Sequence, residues 1–163
     1  FIFTTSLPPA VVAGARMAVR HLKESSQERA RHQHMAAMTK HALRAAGLPI
    51  MDNVSHIVPL MVCDAEQCKA ASDLLLKRHD IYIQPINYPT VDIGTERLRI
   101  TPTPRHTEEH VADLVEALVD VWKTLGLPFI EPKVIPFRSI RPIVEEPQAD
   151  AQCGYVDMKK AAE

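Results

Sequence analysis

The chain has 163 residues, of which 46% are hydrophobic and 24% are charged, enough apolar side chains for the core of about one ordinary domain. Its formal net charge of -1 gives no electrostatic basis for binding nucleic acid or anionic lipid. No apolar run approaches the roughly 18 to 20 residues that cross a bilayer, so neither nucleic acid nor a membrane is an expected partner.

The chain begins with a short apolar, strand-like segment that leads into a helix. Residue 1 is phenylalanine and no basic leader precedes the segment, so we expect a piece of a longer protein. Thr4, Thr5 and Ser6 precede the helix, where their hydroxyls either contact a phosphate or simply cap the helix. Prolines suit a first helical turn, and a helix is predicted over 8–23 from the spacing of Val11, Val12, Ala15, Val19 and Leu22.

A second, longer helix follows. Ser25 or Ser26 offers an N-cap, and Gly47 with Pro49 beyond it marks the end. Its predicted apolar stripe consists of Met35, Met38, Ala42 and Ala45. Arginine and glutamine crowd this helix, so a hydrated face is favoured over a metal site or proton relay for the histidines at His21, His32, His34 and His41.

Short strands and a capped helix occupy the middle of the chain. Residue composition predicts strands at 57–62, 81–83 and 98–101. Asp64 is the expected N-cap of the helix that follows the first of these strands. Cys63 and Cys68 flank that cap and are expected to be buried as small apolar residues. The three cysteines of the chain lack Cys-x-x-Cys spacing, which indicates a reducing compartment.

Thr107 is the natural N-cap of a last helix that ends at Gly126. A core-facing stripe is predicted from Val111, Leu114, Val115, Leu118, Val121 and Trp122. His106 and His110 match the spacing of one zinc-peptidase class, but the cap at Thr107 leaves His106 outside the helix, so no metal site is predicted. Solvation is favoured over an acid–base pair for the carboxylates of Asp113, Glu116 and Asp120.

The order helix, helix, strand, helix, strand, strand, helix predicts a small α+β domain whose sheet is covered on one face by helices. From Pro128 to Glu163, repeated prolines and scattered charge break this pattern. That segment is predicted to be an extended or disordered tail.

The most informative segment is the loop 86–91, Ile-Asn-Tyr-Pro-Thr-Val, which precedes the strand that carries Arg99. Apolar neighbours on both sides point Arg99 to one sheet face, where its guanidinium offers a fixed fork to a substrate carboxylate. A structural ion pair is the alternative. Asn87 and Thr90 are predicted to be ligand-facing loop residues.

Four segments carry more specific motifs: FIFTTSLPP at 1–9, SHIVP at 55–59, INYPTV at 86–91 and LRITPTPRH at 98–106. Together they strongly resemble 5-aminolevulinate synthases, over roughly residues 1 to 130. The synthases of 8-amino-7-oxononanoate, 2-amino-3-oxobutyrate and 3-ketosphinganine share the layout but differ at the Asn-Tyr-Pro-Thr and Thr-Pro-Thr-Pro-Arg-His stretches.

The resemblance implies a fold and a division into domains. The family has fold type I of the transferases that depend on pyridoxal 5′-phosphate (PLP), and the chain would contain its carboxy-terminal small domain, a small sheet covered by helices. Residues 1–24 would be the last strand and connecting helix of the large PLP-binding domain, 25–127 the small domain, and 128–163 the proline-rich tail.

The resemblance also implies a function. The family condenses glycine with succinyl-CoA to 5-aminolevulinate, CoA and carbon dioxide, in tetrapyrrole and haem biosynthesis. Arg99 matches the arginine that holds the glycine carboxylate, and Thr90 matches the threonine near the succinyl carboxylate. Thr4 and Thr5 match residues that reach the PLP phosphate of the neighbouring subunit, which implies a homodimer with shared active sites.

The family's Schiff-base lysine, and the aspartate that pairs with the PLP ring nitrogen, have no counterpart in this sequence. The chain alone is therefore expected to be inactive, with no catalytic residue of its own. Two alternatives stay open: another α-oxoamine synthase, of the 8-amino-7-oxononanoate or 2-amino-3-oxobutyrate type, or a non-catalytic binding or dimerisation fragment. The expected location is the bacterial cytoplasm, or the mitochondrial matrix for a eukaryotic source.

Overall fold

A computed structural model describes residues 7–132 of the chain. Within this range, helices and strands follow in the predicted order, and the arrangement is the predicted α+β fold. The elements are α1 (Pro9–Glu24), α2 (Gln27–Ala45), β1 (Val58–Met61), α3 (Ala65–His79), β2 (Gln84–Ile86), β3 (Arg97–Ile100) and α4 (Glu108–Leu125).

The three strands form an antiparallel sheet in the order β1-β3-β2, so β3 is the central strand. Val58 pairs with Ile100 at one end of the sheet, and Arg99 lies between Pro59 on β1 and Gln84 on β2. Leu98 and Ile100 are buried whereas Arg99 is exposed, as side-chain alternation along a strand requires. The prediction that Arg99 points to one face of a sheet is confirmed.

Helix α3 packs on the buried face of the sheet and α2 packs against β1, while α4 packs against α2 and α3. Each fully buried large apolar side chain contributes on the order of 1.5 to 3 kcal/mol to folding. Fully buried members of this core include Leu43, Leu48, Val58, Leu60, Leu75, Leu98, Leu118, Val121 and Trp122.

Two of the predicted N-caps form capping hydrogen bonds, whereas Ser26, the N-cap residue of α2, forms none from its side chain. The Asp64 side chain accepts a hydrogen bond from the backbone N–H of Gln67 at 2.8 Å. Thr107 accepts from the N–H of His110, whose ring accepts in turn from the N–H of Thr107, which completes a capping box. Gly126 ends α4 in the left-handed conformation, with φ of 66°.

The predicted strand at 81–83 is wrong, because β2 begins at Gln84. The hydroxyl of Ser72 on α3 donates to the carbonyl oxygen of Ile83 at 2.6 Å. That carbonyl is therefore bonded to a helix side chain, and Ile83 packs into the core. Pro85, which has no N–H, is accommodated because β2 is an edge strand.

The apolar stripe of α2 differs from the predicted one. The buried residues of this helix are Met35, Ala36, Thr39 and Leu43, whereas Ala45 is exposed. Thr39 tolerates burial because its hydroxyl donates to the carbonyl of Met35 at 2.8 Å. Helix α1 lies outside the core of the described structure and buries no residue.

Cys63 differs from the expected burial, and the start of the tail contacts the end of α2. Cys63 is exposed, with φ of 63° at the turn between β1 and α3, whereas Cys68 is fully buried as predicted. Residues 128–132 contain no helix or strand, yet the N–H of Ile130 donates to the carbonyl of Gly47 at 2.8 Å. The rest of the predicted tail lies outside the described residues, and the domain boundaries stay predictions.

Candidate substrate-binding site

Arg99 presents an unneutralised guanidinium on the exposed face of the central strand. Among residues 7–132 no carboxylate forms an ion pair with it and no hydrogen bond engages its side chain. Arg97, two residues earlier on the same face, instead donates from Nε to the carbonyl of Thr95 at 2.8 Å and approaches the Met51 sulfur. The internal ion pair considered as an alternative for Arg99 is therefore not formed within the described part of the chain.

Arg99 lines a cleft of about 610 Å³ beside the sheet. Arginine is charged at every ordinary pH, and Arg99 is the one arginine or lysine among the lining residues that the structure describes. The guanidinium of Arg99 could accept an anionic group here, in a cleft that the carboxylates of Asp80 and Asp113 also line. The other polar and aromatic lining residues are Thr39, His79, Asp80, Tyr82, Thr101, His106, His110 and Asp113.

Asn87 and Thr90 bound a turn at the other end of the β2–β3 pair. The N–H of Thr90 donates to the carbonyl of Asn87 at 2.9 Å, across a cis peptide bond between Tyr88 and Pro89. Thr90 is exposed. Asn87 donates from Nδ2 to the carbonyl of Ala65 at 3.2 Å, while its Oδ1 is buried and has no partner in the described structure.

The described residues therefore do not place Asn87 and Thr90 in the cleft that Arg99 lines. β2 starts opposite Arg99 and ends opposite Arg97, so the turn and the cleft lie at opposite ends of these strands. Contact of Asn87 or Thr90 with a ligand stays a prediction.

Glu96 anchors the base of the loop that precedes Arg99, a role the sequence reasoning missed. It is 2% exposed, and its Oε2 accepts from the N–H of Gly94 at 2.9 Å. Its carbonyl oxygen accepts from the N–H groups of Val62 and Cys63 at 3.0 and 2.9 Å. These bonds continue the contact between β1 and β3 beyond the last strand pair and so fix the entry into β3.

His106 and His110 use their Nδ1 atoms for local backbone bonds. His106 Nδ1 accepts from the N–H of Thr103 at 2.8 Å, and His110 Nδ1 accepts from the N–H of Thr107 at 3.2 Å. Their ring centroids lie 5.9 Å apart in an edge-on arrangement. Within 7–132 no cluster of three or more metal-ligating side chains occurs.

The expected hydrated face does not hold for His32, and Asp120, although solvent-accessible as expected, also forms a specific contact. His32 is half-buried, and its Nε2 donates to the carbonyl of Pro102 at 3.0 Å. Asp120 accepts from His79 Nε2 at 3.0 Å. That hydrogen bond, followed by the charge of Arg78, lowers the pKa of Asp120. In both contacts the two residues lie far apart in sequence, so no local sequence pattern predicts them.

The described residues do not form a PLP site. Thr4 and Thr5 lie outside them. Lys40 donates from Nζ to Asn53 Oδ1 and to the carbonyls of Asn53 and Ser55, and Lys69 pairs with Asp73. Among the described residues no lysine lines the cleft of Arg99.

The fold agrees with the family that the sequence matches. The family model for aminotransferase class I and II matches residues 1–118, and the chain belongs to this family. Within it, the chain is 62% identical over 128 residues to a 5-aminolevulinate synthase of Bradyrhizobium diazoefficiens, 54% over 127 residues to that of Rhizobium meliloti and 53% over 131 residues to a mitochondrial one of Yarrowia lipolytica. The resemblance predicted from the motifs is confirmed.

The matches cover most of this chain but a minor part of each relative. They span 78% of the chain and 31% of the length of the Bradyrhizobium and Rhizobium proteins, and 80% of the chain and 23% of the length of the Yarrowia protein. The chain thus spans about a third or less of these relatives.

Solved structures support the same fold. A serine palmitoyltransferase from S. paucimobilis, described with a bound PLP-myriocin aldimine, superposes with a TM-score of 0.69 at 28% identity, covering 76% of this chain and 31% of that one. The Sphingomonas wittichii serine palmitoyltransferase gives a TM-score of 0.70 at 26% identity, covering 77% and 32%. None of the helices described here is long and apolar enough to span a membrane.

Proposed function

We propose that this chain is the carboxy-terminal, substrate-binding portion of a PLP-dependent 5-aminolevulinate synthase. The enzyme would join glycine to succinyl-CoA, releasing CoA and carbon dioxide, in tetrapyrrole and haem biosynthesis. The observation that carries the proposal is the guanidinium of Arg99, which has no partner among residues 7–132, in a chain 62% identical to an enzyme of that name.

Arg99 would hold the substrate by its carboxylate. Guanidinium donors form a planar fork that matches two carboxylate oxygens, which lysine cannot reproduce. Since β3 is paired on both sides, the backbone that carries Arg99 is well fixed. A carboxylate held in this way sets the direction of the bonds at the glycine Cα, which is how a binding residue contributes to rate as well as affinity.

The reaction needs chemistry that PLP supplies when bound: an electron sink for the negative charge that develops at Cα. In this proposal the lysine that attaches PLP belongs to a part of the protein that precedes this chain. Thr4 and Thr5 would contact the phosphate of the PLP in a neighbouring subunit, so that two copies share active sites. Thr90, exposed in its turn, would offer its hydroxyl to the succinyl carboxylate. The bacterial cytoplasm remains the proposed location.

A related α-oxoamine synthase is the competing assignment, since serine palmitoyltransferases share the fold. Their identity to this chain is 26% to 28%, well below the 62% of the Bradyrhizobium relative. This difference favours glycine and succinyl-CoA over other amino acids and longer acyl groups.

The test is a direct assay of 5-aminolevulinate formation from glycine and succinyl-CoA with added PLP. The full-length protein and the 163-residue chain are measured side by side, with alanine and longer acyl-CoA substrates as controls. We expect product from the full-length protein alone, with glycine and succinyl-CoA preferred. Preference for another substrate pair would replace the assignment, and an open reading frame with no upstream PLP domain would favour the non-catalytic fragment.

A further inference from the structure

The segment 101–106, which follows Arg99 directly, is held in place by side chains of helix α2. Pro102 and Pro104 have no N–H, so this stretch cannot extend the ladder of the sheet through them. Its carbonyl oxygens find partners elsewhere. His32 Nε2 donates to the carbonyl of Pro102 at 3.0 Å, and Arg31 Nε donates to that of Pro104 at 2.6 Å. Arg31 Nη2 also approaches the carbonyl of His106, at 3.5 Å.

His32 contacts both chain segments that meet at this end of the sheet. Val58 and Ile100 form the last pair between β1 and β3, and the chain continues from that pair to His56 on one side and Pro102 on the other. The His32 and His56 rings lie with centroids 4.7 Å apart, tilted by 52°. His32 therefore contacts both the segment that precedes β1 and the segment that follows β3, and these contacts limit how far the end of β3 can shift.

We propose that Arg31 and His32 are positioning residues for Arg99. Neither lines the cleft with Arg99, and both act on backbone carbonyls that follow it within the same segment. Fixing those carbonyls fixes the end of β3 and hence the origin of the Arg99 side chain. The inference rests on the proposed function, because it assumes that Arg99 holds the glycine carboxylate.

The experiment is steady-state kinetics of the full-length enzyme, with glycine and succinyl-CoA varied separately. Arg31→Gln and His32→Leu remove the side-chain donors to segment 101–106, whereas His32→Gln keeps a hydrogen-bond donor at position 32. Arg29→Gln is the control, because Arg29 is a neighbouring exposed arginine with no bond to that segment. We expect glycine KM to rise about tenfold in the first two variants, below the roughly 100-fold that a 1 Å misplacement can cost. The KM for succinyl-CoA should stay within about twofold of wild type in these variants. The glycine KM should rise less in His32→Gln than in His32→Leu, and it should not change in Arg29→Gln.

Combination with Arg99→Ala separates positioning from a general structural role. In that background Arg31→Gln should add no further increase in glycine KM, because the residue acts only through Arg99. Additive effects, or an unchanged glycine KM in Arg31→Gln alone, would overturn the inference. Arg31 is exposed, so this variant decides the question even if His32→Leu fails to fold. If Arg99→Ala itself leaves glycine KM unchanged, the assignment of Arg99 fails instead.

Discussion

The backbone N–H of Ile130 bonds to the carbonyl oxygen of Gly47, while a Cβ added to Gly47 would lie 2.8 Å from the carbonyl oxygen of Ile130. Gly47 has φ of 74°, in the left-handed region that glycine adopts without steric cost. Gly47 therefore both follows the end of α2 and bonds to the segment that comes after α4. The end of α2 and the segment that follows α4 meet at this contact.

Gly47→Ala should destabilise the protein through both backbone strain and this clash. Left-handed backbone strain costs a non-glycine residue about 1 kcal/mol or more, and the displaced Ile130 carbonyl adds to that cost. The free energy of unfolding, measured by urea denaturation of the chain, should fall by about 2 kcal/mol or more.

Two other glycines provide matched controls for this change. Gly126 has φ of 66° but open space around its Cα, so Gly126→Ala should show the strain alone and a smaller loss. Gly14 lies within α1 with open space, and Gly14→Ala should be neutral or stabilising by up to about 1 kcal/mol. Equal losses for Gly47→Ala and Gly126→Ala would contradict the role of the Ile130 contact.

Arg99→Ala in the full-length enzyme should raise the glycine KM strongly. A hydrogen-bonded contact between charged groups is worth on the order of 1.5 to 3 kcal/mol, which corresponds to about 10- to 150-fold in binding. Arg99→Lys should recover only part of the loss, because an ammonium cannot form the fork. Arg97→Ala, on the same strand and face, is the control and should leave the glycine KM within about twofold. Wild-type glycine kinetics in Arg99→Ala would rule out its proposed role.

Cys63 and Cys68 should differ sharply in reactivity although five positions separate them. Burial, the largest cause, raises the pKa of the Cys68 thiol to about 11, whereas Cys63 is exposed. At pH 8 the thiolate fraction of Cys68 is lower than that of an ordinary cysteine by on the order of 100-fold. Peptide mass spectrometry after brief iodoacetamide treatment should find Cys63 alkylated and Cys68 intact until denaturant is added. Equal labelling in the native chain would argue against the burial of Cys68.

Asp120 should contribute to stability in a pH-dependent manner. The hydrogen bond from His79, with the charge of Arg78, holds the pKa of Asp120 below its usual range. A carboxyl whose pKa is lower in the folded state stabilises that state above its unfolded pKa of about 3.9, and this contribution is lost as pH falls through the folded value. Asp120→Asn should therefore lower Tm near pH 6, and the difference from wild type should shrink below about pH 4.

Asp113→Asn provides the comparison for this pH dependence. Asp113 lies on the same helix, is exposed and forms no ion pair within residues 7–132. Its Tm difference from wild type should be small and nearly constant with pH. A pH-independent loss in Asp120→Asn would mean that the contact with His79 is not electrostatic in origin.

Local signals in the sequence predicted much of the fold. Asp64, Thr107 and Gly126 act within one helical turn of their own positions, so their chemistry is visible in the sequence. The boundary of β2 was missed because it depends on the hydroxyl of Ser72, which bonds to Ile83 from a different element. Thr39 was missed in the α2 stripe for a related reason, since its hydroxyl is satisfied by the backbone and thus tolerates burial.

The candidate site was predictable only in part. Arg99 was found because alternation along a strand is a local rule. The contacts of His32 with Pro102 and of His79 with Asp120 join residues far apart in sequence, and such pairs follow from packing that no local pattern encodes. Glu96 is buried against general preference, and its partners become evident only once the loop before β3 is folded.

Because β3 is the central strand and its side chains alternate between the two faces of the sheet, the face that Arg99 points to depends on its position along the strand. Inserting one residue inside Arg97–Ile100 would exchange the two faces of the strand, turning the guanidinium of Arg99 toward the buried core and a leucine toward solvent. Length changes in the connection 87–96 do not alter the face to which Arg99 points, because the pairing of β3 with Val58–Met61 fixes its register. The chain can therefore vary in length next to Arg99 during evolution while the side chain of Arg99 keeps its direction.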